Sequence, residues 1–321
     1  MVSFYNLFFR EGKSLNKKGH KIFILVFISL FLMVCFSGCA QEGEIVPEGE
    51  VQEGYPMTVT DFVGRTVVIE EEPQSIISLR PSSTEILFAL GLGDRVIGVT
   101  EYCYYPPEAA EKDKIGDFTT NVEKVIALDP DLILTFDQKD ETVNALADYG
   151  YSLVSLKSNN IEEVLESIEL VGRITNTYEQ AQELTEEISR EIEEIKEYTR
   201  ELEEEDKPKV FVTIDTEELY TTGEGTFLNE IISTAGGINI GAEAGRDYFV
   251  ISEEKLFQED PDYILCTFPT KDQILERENW QDLKAVKKGQ VYNVDGDIVS
   301  RPGPRVAQAV RHIFDIIHPD H

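Results

Sequence analysis

Apolar residues in this chain are distributed in four distinct patterns, and each predicts a different element. Residues 22–36 form a continuous apolar run preceded by Lys13, Lys17, Lys18 and Lys21. The run is shorter than the roughly 20 residues a membrane-spanning helix requires, so it reads as the core of an export signal. Residues 41–56 (QEGEIVPEGEVQEGYP) carry few large apolar side chains. They cannot bury enough surface to fold and read as a tether. Beyond them, short apolar runs of buried-strand type alternate with helical patterns, which predicts parallel sheets covered on both faces. Residues 179–205 hold no Pro or Gly and place Ala181, Leu184, Ile188, Ile192, Ile195, Tyr198 and Leu202 on one helical face. A helix of that length spans roughly 40 Å.

An internal repeat divides the folded region. Residues 125–136 (VIALDPDLILTF) and 256–268 (LFQEDPDYILCTF) both run helix, Asp-Pro-Asp turn, strand. Residues 91–98 (GLGDRVIG) and 236–241 (GGINIG) give a weaker match, read as a helix C-cap feeding a strand. Strands over residues 75–79 and 209–214 open the two halves. The predicted fold is therefore α/β: two Rossmann-like lobes with parallel sheets, bridged by one long α-helix. The predicted segments are a signal peptide at 1–38, a tether at 39–56, an N-terminal lobe at 57–175, a linking helix at 176–206 and a C-terminal lobe at 207–321.

Charge and chemistry narrow the function. The formal net charge is −32 over 321 residues, a surface that repels nucleic acid and anionic headgroups. The four cysteines (Cys35, Cys39, Cys103, Cys266) show no metal-binding spacing, and no histidine lies between residues 21 and 311. Ser82 and Ser83 begin a helix without a histidine in the folded body to activate them. There is no Walker A sequence and no GxGxxG fingerprint. The expectation is a binding protein that is not an enzyme, with no cofactor and no bound metal of its own. The histidines of the last ten residues are expected to form a solvated tail.

Phe36-Ser37-Gly38-Cys39 resembles the lipobox of bacterial and archaeal lipoproteins, which implies lipidation at Cys39 and an extracytoplasmic domain anchored to the outer face of the membrane. Two Rossmann-like lobes bridged by a helix resemble the class III solute-binding proteins of ABC importers for cobalamin, ferric siderophores and haem. The segments carrying this resemblance are residues 75–100 (SIISLRPSSTEILFALGLGDRVIGVT), 102–109 (YCYYPPEA), 115–118 (IGDF), 236–240 (GGINI), 250–256 (VISEEKL) and 300–305 (SRPGPR). YCYYPPEA and SRPGPR are most similar to cobalamin-binding members. The resemblance implies a monomer that takes a small-molecule ligand between its lobes and delivers it to a permease dimer with its ATPase.

The same resemblance implies site residues. Tyr102, Phe118, Phe136, Tyr220 and Tyr248 would line the ligand cleft, with Tyr105, Phe249 and Phe268 beside them. Arg301 would donate to ligand amides or a phosphate, Arg305 would anchor the following helix, and Arg80 is a third cationic candidate. Exposed Glu85 and Glu254 would dock on permease arginines. Ser82-x-x-Glu85 also fits a capping box. Cys103 and Cys266 are expected to be buried and unreactive. A cobalamin or related corrinoid is the expected ligand; a ferric siderophore or haem is the alternative, and a structural lipoprotein without ligand is the reading from another class.

Overall fold

The computed structural model describes residues 54–136, 141–215 and 218–321. The signal peptide, Cys39 and the tether up to residue 53 lie outside the described residues. A short antiparallel hairpin, β1 (Met57–Thr60) and β2 (Thr66–Ile69), precedes the first lobe. That lobe is built on β3 (Ile76–Ser78), β4 (Val96–Val99), β5 (Asp113–Lys114), β6 (Leu132–Thr135) and β7 (Leu153–Ser155). They form one parallel sheet in the order β5-β4-β3-β6-β7. Its helices are α1 (Pro81–Ala89), α2 (Val122–Leu128), α3 (Glu141–Asp148) and α4 (Ile161–Ile174).

The linking helix α5 (Tyr178–Thr199) leads to the second lobe. Its strands are β8 (Lys209–Thr213), β9 (Tyr220–Thr222), β10 (Ile238–Asn239), β11 (Tyr248–Val250), β12 (Tyr263–Cys266) and β13 (Val291–Asn293). Its helices are α6 (Phe227–Thr234), α7 (Glu253–Glu259), α8 (Lys271–Leu275), α9 (Lys284–Lys287), α10 (Gly296–Ser300) and α11 (Val306–Ile317). A separate parallel sheet runs β10-β8-β12-β13, and β9 pairs antiparallel with β11. The central strands β3, β6, β8 and β12 are buried almost throughout, as a sheet covered on both faces requires.

The Asp-Pro-Asp repeat has a mechanical explanation. The first aspartate of each motif caps a helix in the left-handed conformation, Asp129 at φ 48° and Asp260 at φ 44°. Aspartate tolerates this region, so the chain turns at once and the following proline cannot rejoin the helix. The second aspartate ties two strands together. Asp131 Oδ2 accepts the amides of Gln74 and Ser75 at 2.8 Å, ahead of β3, and Asp262 Oδ2 accepts that of Lys209 at 3.0 Å, opening β8. The weaker glycine match also holds: Gly91 and Gly236 follow α1 and α6 at φ 75° and 84°.

The linking helix ends seven residues before the expected boundary at residue 206. Glu201 and the acidic run 203–206 would set negative charge against the helix C-terminus, whose carbonyls already carry negative potential. The chain leaves the helix at Arg200 instead, and Leu202 folds back toward Gly236. The helix is 22 residues long, about 33 Å. Its apolar face packs on α4 from the first lobe and on α6 and α11 from the second. The α4–α5 crossing is close: a Cβ at Gly172 would lie 2.4 Å from that of Ala181. One continuous apolar core consequently runs from Ile76 and Leu132 through Ile188 and Ile192 to Val210, Ile231 and Val310. Each lobe adds a smaller core on its outer sheet face. The histidine tail is not fully solvated as expected. His318 Nε2 lies 3.1 Å from the Ala235 carbonyl, and the His321 ring, tilted by 58°, lies 3.8 Å from that of Tyr198.

A carboxylate also crosses between the lobes. Glu230 on α6 accepts the amide of Ile161, the first residue of α4, at 2.7 Å. Burial first, and then nearby Glu162 and Glu163, hold its pKa above the ordinary carboxylate value. The folded state thus binds this proton more tightly than the unfolded chain does. Stability contributed below the unfolded pKa, about 4.3, is lost as pH rises through the folded pKa. Glu230→Gln keeps an acceptor for Ile161 without the charge. Its stability relative to wild type, from urea unfolding, is expected to rise from pH 4 to neutrality; a relative stability that falls over that window contradicts this account.

Candidate functional site

The parallel strands of each lobe end on loops, and the predicted aromatics sit on those loops. Tyr102 follows β4, Phe118 follows β5 and Phe136 follows β6. In the second lobe, Tyr220 opens β9 after β8, Tyr248 opens β11, which pairs with β9, and Phe268 follows β12. The carboxyl ends of strands in open α/β sheets are where ligands bind. Tyr102 and Phe118 form one ring pair, with centroids 4.4 Å apart. Phe118 is 77% exposed at the tip of a turn. Gly116 makes that turn possible: its φ is 137°, and a Cβ there would meet the Thr119 carbonyl at 2.2 Å. Asp117 Oδ1 closes it by accepting the Thr119 amide at 3.0 Å.

Tyr220 and Tyr248 form a second pair, nearly parallel at 16° with centroids 6.4 Å apart. They are diagonal neighbours on one face of this two-stranded sheet, because Tyr220 pairs with Val250 and Tyr248 with Thr222. Both are exposed, as are Tyr105 and Phe268. Phe136 and Phe249 are half-buried and pack against the main core and the second-lobe core respectively. Cys103 is buried beside Thr100, and burial pushes the Cys266 thiol up to about 11.

Between the two edges lies a clamp of charges and rings. Glu85 on α1 is buried, not exposed as expected, with its side chain 2% accessible. It accepts two hydrogen bonds from Arg305 of the second lobe, Nε at 2.8 Å and Nη2 at 2.7 Å. Arg301 approaches the same carboxylate at 3.4 Å and pairs with Asp297 at 2.7 Å. Each guanidinium covers a first-lobe tyrosine: Arg305 lies 4.0 Å from the ring centre of Tyr105, and Arg301 lies 4.6 Å from that of Tyr104. Tyr104 donates to Asp297 Oδ2 at 2.5 Å, which holds its phenol pKa above the usual value.

This geometry corrects two expectations. Glu85 cannot dock on a partner, because Arg305 already occupies it away from solvent. The capping box does not form: α1 starts at Pro81 with Arg80 as N-cap and no side-chain cap bond. Arg305, expected to anchor the following helix, also reaches across the lobes, and Arg301 is held by two carboxylates inside the chain. Arg80 offers its carbonyl to Ser78, Ser83 and Thr84.

The repeat identifies the first-lobe equivalent of Glu254 that the sequence reading missed. The Asp-Pro-Asp motifs are 131 residues apart, which sets Glu254 on α7 against Glu123 on α2. Asn121 and Ser252 cap these helices at the same repeat position, accepting the Lys124 and Lys255 amides. Glu123 and Glu254 are both exposed. Neighbouring Glu253 is tied to Asn279 and Trp280, with oxygens 2.9–3.1 Å from their nitrogens, which separates it from Glu254. The signal was present in the repeat spacing.

Two sheets joined through one helix, with ring-bearing loops at the strand ends, define a two-lobe solute-binding protein. The periplasmic binding protein family model matches residues 76–298, and the chain belongs to that family. It is 33% identical over 300 residues to YvrC, an uncharacterised ABC transporter substrate-binding lipoprotein of Bacillus subtilis, covering 91% of this chain and 95% of that one. The solved vitamin B12-binding protein of Vibrio cholerae superposes with a TM-score of 0.69 at 26% identity, covering 77% of this chain and 97% of that one. A possible iron-binding solute-binding protein of Staphylococcus epidermidis superposes with a TM-score of 0.68 at 29% identity, covering 77% and 100%.

The clamp predicts strong coupling between its members. Glu85→Gln leaves the Arg305 charge buried and is expected to cost about 3–5 kcal/mol in urea unfolding. The double change Glu85→Leu with Arg305→Met removes both charges and should cost far less. A Glu85→Gln loss below about 0.5 kcal/mol, the range of an ordinary surface change, would show that the pair is not desolvated.

Proposed function

We propose that this protein captures cobalamin or a related corrinoid between its lobes and delivers it to the permease dimer of an ABC importer, while anchored outside the cell membrane through Cys39. The observation that carries the reading is the presence of two exposed ring pairs, Tyr102 with Phe118 on the strand-end loops of the first lobe and Tyr220 with Tyr248 on the β9–β11 sheet of the second. A corrinoid is a wide, largely apolar disc edged with amides. Flat aromatic faces desolvate it while losing little side-chain entropy. Exposed rings cost solubility in an isolated domain, which a ligand that covers them offsets.

The clamp favours a corrinoid over an anionic catecholate siderophore. Arg301 and Arg305 are the cations of the clamp, and Glu85 and Asp297 already neutralise them. A highly charged ligand would meet little compensating charge from these two residues. The lipid anchor is supported by the lipobox-like Ser37-Gly38-Cys39. Docking through one carboxylate on each lobe is supported by the exposed, repeat-related pair Glu123 and Glu254.

Calorimetric titration of the mature chain with cyanocobalamin, haemin and a ferric catecholate tests the ligand. Cyanocobalamin is expected to bind one to one, with Tyr102→Ala and Phe118→Ala each weakening it about tenfold, roughly 1.4 kcal/mol. Binding of haemin or the siderophore but not cyanocobalamin would replace this ligand, and binding of none would favour a structural lipoprotein.

Docking makes a separate demand. Glu123→Lys with Glu254→Lys is expected to abolish transport through the reconstituted importer and to leave the calorimetric affinity for cyanocobalamin unchanged. Transport that survives the double reversal would remove both residues from the interface.

A further inference from the structure

The equivalence of α2 and α7 extends past their carboxylates. Val125 and Leu256 are completely buried one position before Ile126 and Phe257, which are exposed at 40% and 37%. Ile126 and Phe257 are again 131 residues apart. Each stands three residues after its glutamate, Ile126 after Glu123 and Phe257 after Glu254, and side chains at that spacing share one helix face. The lysines between them turn to their own lobes: Lys124 Nζ donates to the Lys114 carbonyl at 2.9 Å, and Lys255 Nζ to Glu259 at 2.6 Å. Each short helix therefore presents the same pair to solvent, a carboxylate beside a large apolar side chain.

We propose that Ile126 and Phe257 are the apolar halves of a duplicated docking contact, made with a partner surface that offers a guanidinium beside an apolar socket once per subunit of a two-fold dimer. The proposal rests on the importer reading and on the docking role of Glu123 and Glu254. A carboxylate on an open surface gains little from a guanidinium, because water screens the pair and both side chains lose freedom. An apolar side chain seated beside the pair excludes that water and strengthens the attraction. The charge on each patch selects a cationic partner, and its repetition on two homologous helices matches a partner that is itself duplicated. Neither patch lies on the strand-end loops that carry the ring pairs, so a docked partner and a bound ligand need not compete.

The test measures binding of the cyanocobalamin-loaded mature chain to the permease–ATPase complex in lipid nanodiscs, at low and high salt. Ile126→Ser with Phe257→Ser is expected to weaken the complex about a hundredfold, about tenfold per patch, with its salt dependence retained. Ile126→Val with Phe257→Leu should keep most of the affinity. Glu123→Ala with Glu254→Ala should weaken the complex and flatten its salt dependence. Cyanocobalamin affinity should be unchanged in every variant; Ile126 and Phe257 are partly covered by their own lobes, so the serine variant is expected to melt somewhat lower, and binding is measured well below that temperature. If the serine variant binds within about twofold of wild type while the alanine variant does not, the apolar proposal is overturned and the carboxylate reading stands. If neither variant weakens the complex, the docking surface lies elsewhere and both are overturned.

Discussion

Glu85 and Arg305 meet where water does not reach, and they belong to different lobes. A buried ion pair of this kind adds little net stability, because desolvating two charges costs nearly as much as their attraction returns. What it imposes is geometry. A shift of the lobes by an ångström or two would lengthen both hydrogen bonds before water could enter, leaving two charges uncompensated in a medium of low polarisability. Full opening would rehydrate them, but the continuous apolar core through α5 opposes that. The two constraints act at different ranges, polar groups fixing the fine position and apolar contacts preventing wide separation. Tyr104 and Tyr105, covered by Arg301 and Arg305, extend the fixed geometry to the first-lobe loop that also carries Tyr102.

A fixed frame changes how the strand-end rings can act. Rings held in advance lose little freedom when a ligand covers them, so more of the contact energy appears as affinity. The two pairs are held by different means. Phe118 depends on a glycine turn closed by Asp117. Tyr220 and Tyr248 depend on a two-stranded antiparallel sheet, whose Thr221 donates its hydroxyl to the Val212 carbonyl of β8 at 2.6 Å. The lobes are duplicated in their sheets and different in their loops, which suits a ligand with two unlike faces.

The sheets, the Asp-Pro-Asp turns and the linking helix were legible in the sequence because each is written in local periodicity or in a residue with special backbone demands. The end of α5 was less legible, since hydrophobic spacing continues to Leu202 while acidic residues 203–206 oppose the helix end. Glu85 was misread for a different reason. Ser82-x-x-Glu85 satisfies a local capping pattern, but the residue that claims the carboxylate lies 220 positions away. No local pattern carries that information. Glu123 was legible in principle, because the 131-residue spacing already aligned it with Glu254; the resemblance drew attention to Glu85 instead.

The second repeat spacing connects these points. Gly91 and Gly236 end α1 and α6 and are 145 residues apart, which sets Glu85 against Glu230. Their neighbours match as well, with Ile86 and Ile231, and Leu87 and Ile232, fully buried. Each glutamate thus leaves an equivalent helix and reaches a group in the opposite lobe. One glutamate is met by arginines and the other by the amide that opens α4. Glu230 is half-buried, and burial makes it hold its proton more tightly than a free carboxylate does. This contact has therefore diverged between the lobes, whereas α2 and α7 retain the same exposed pattern.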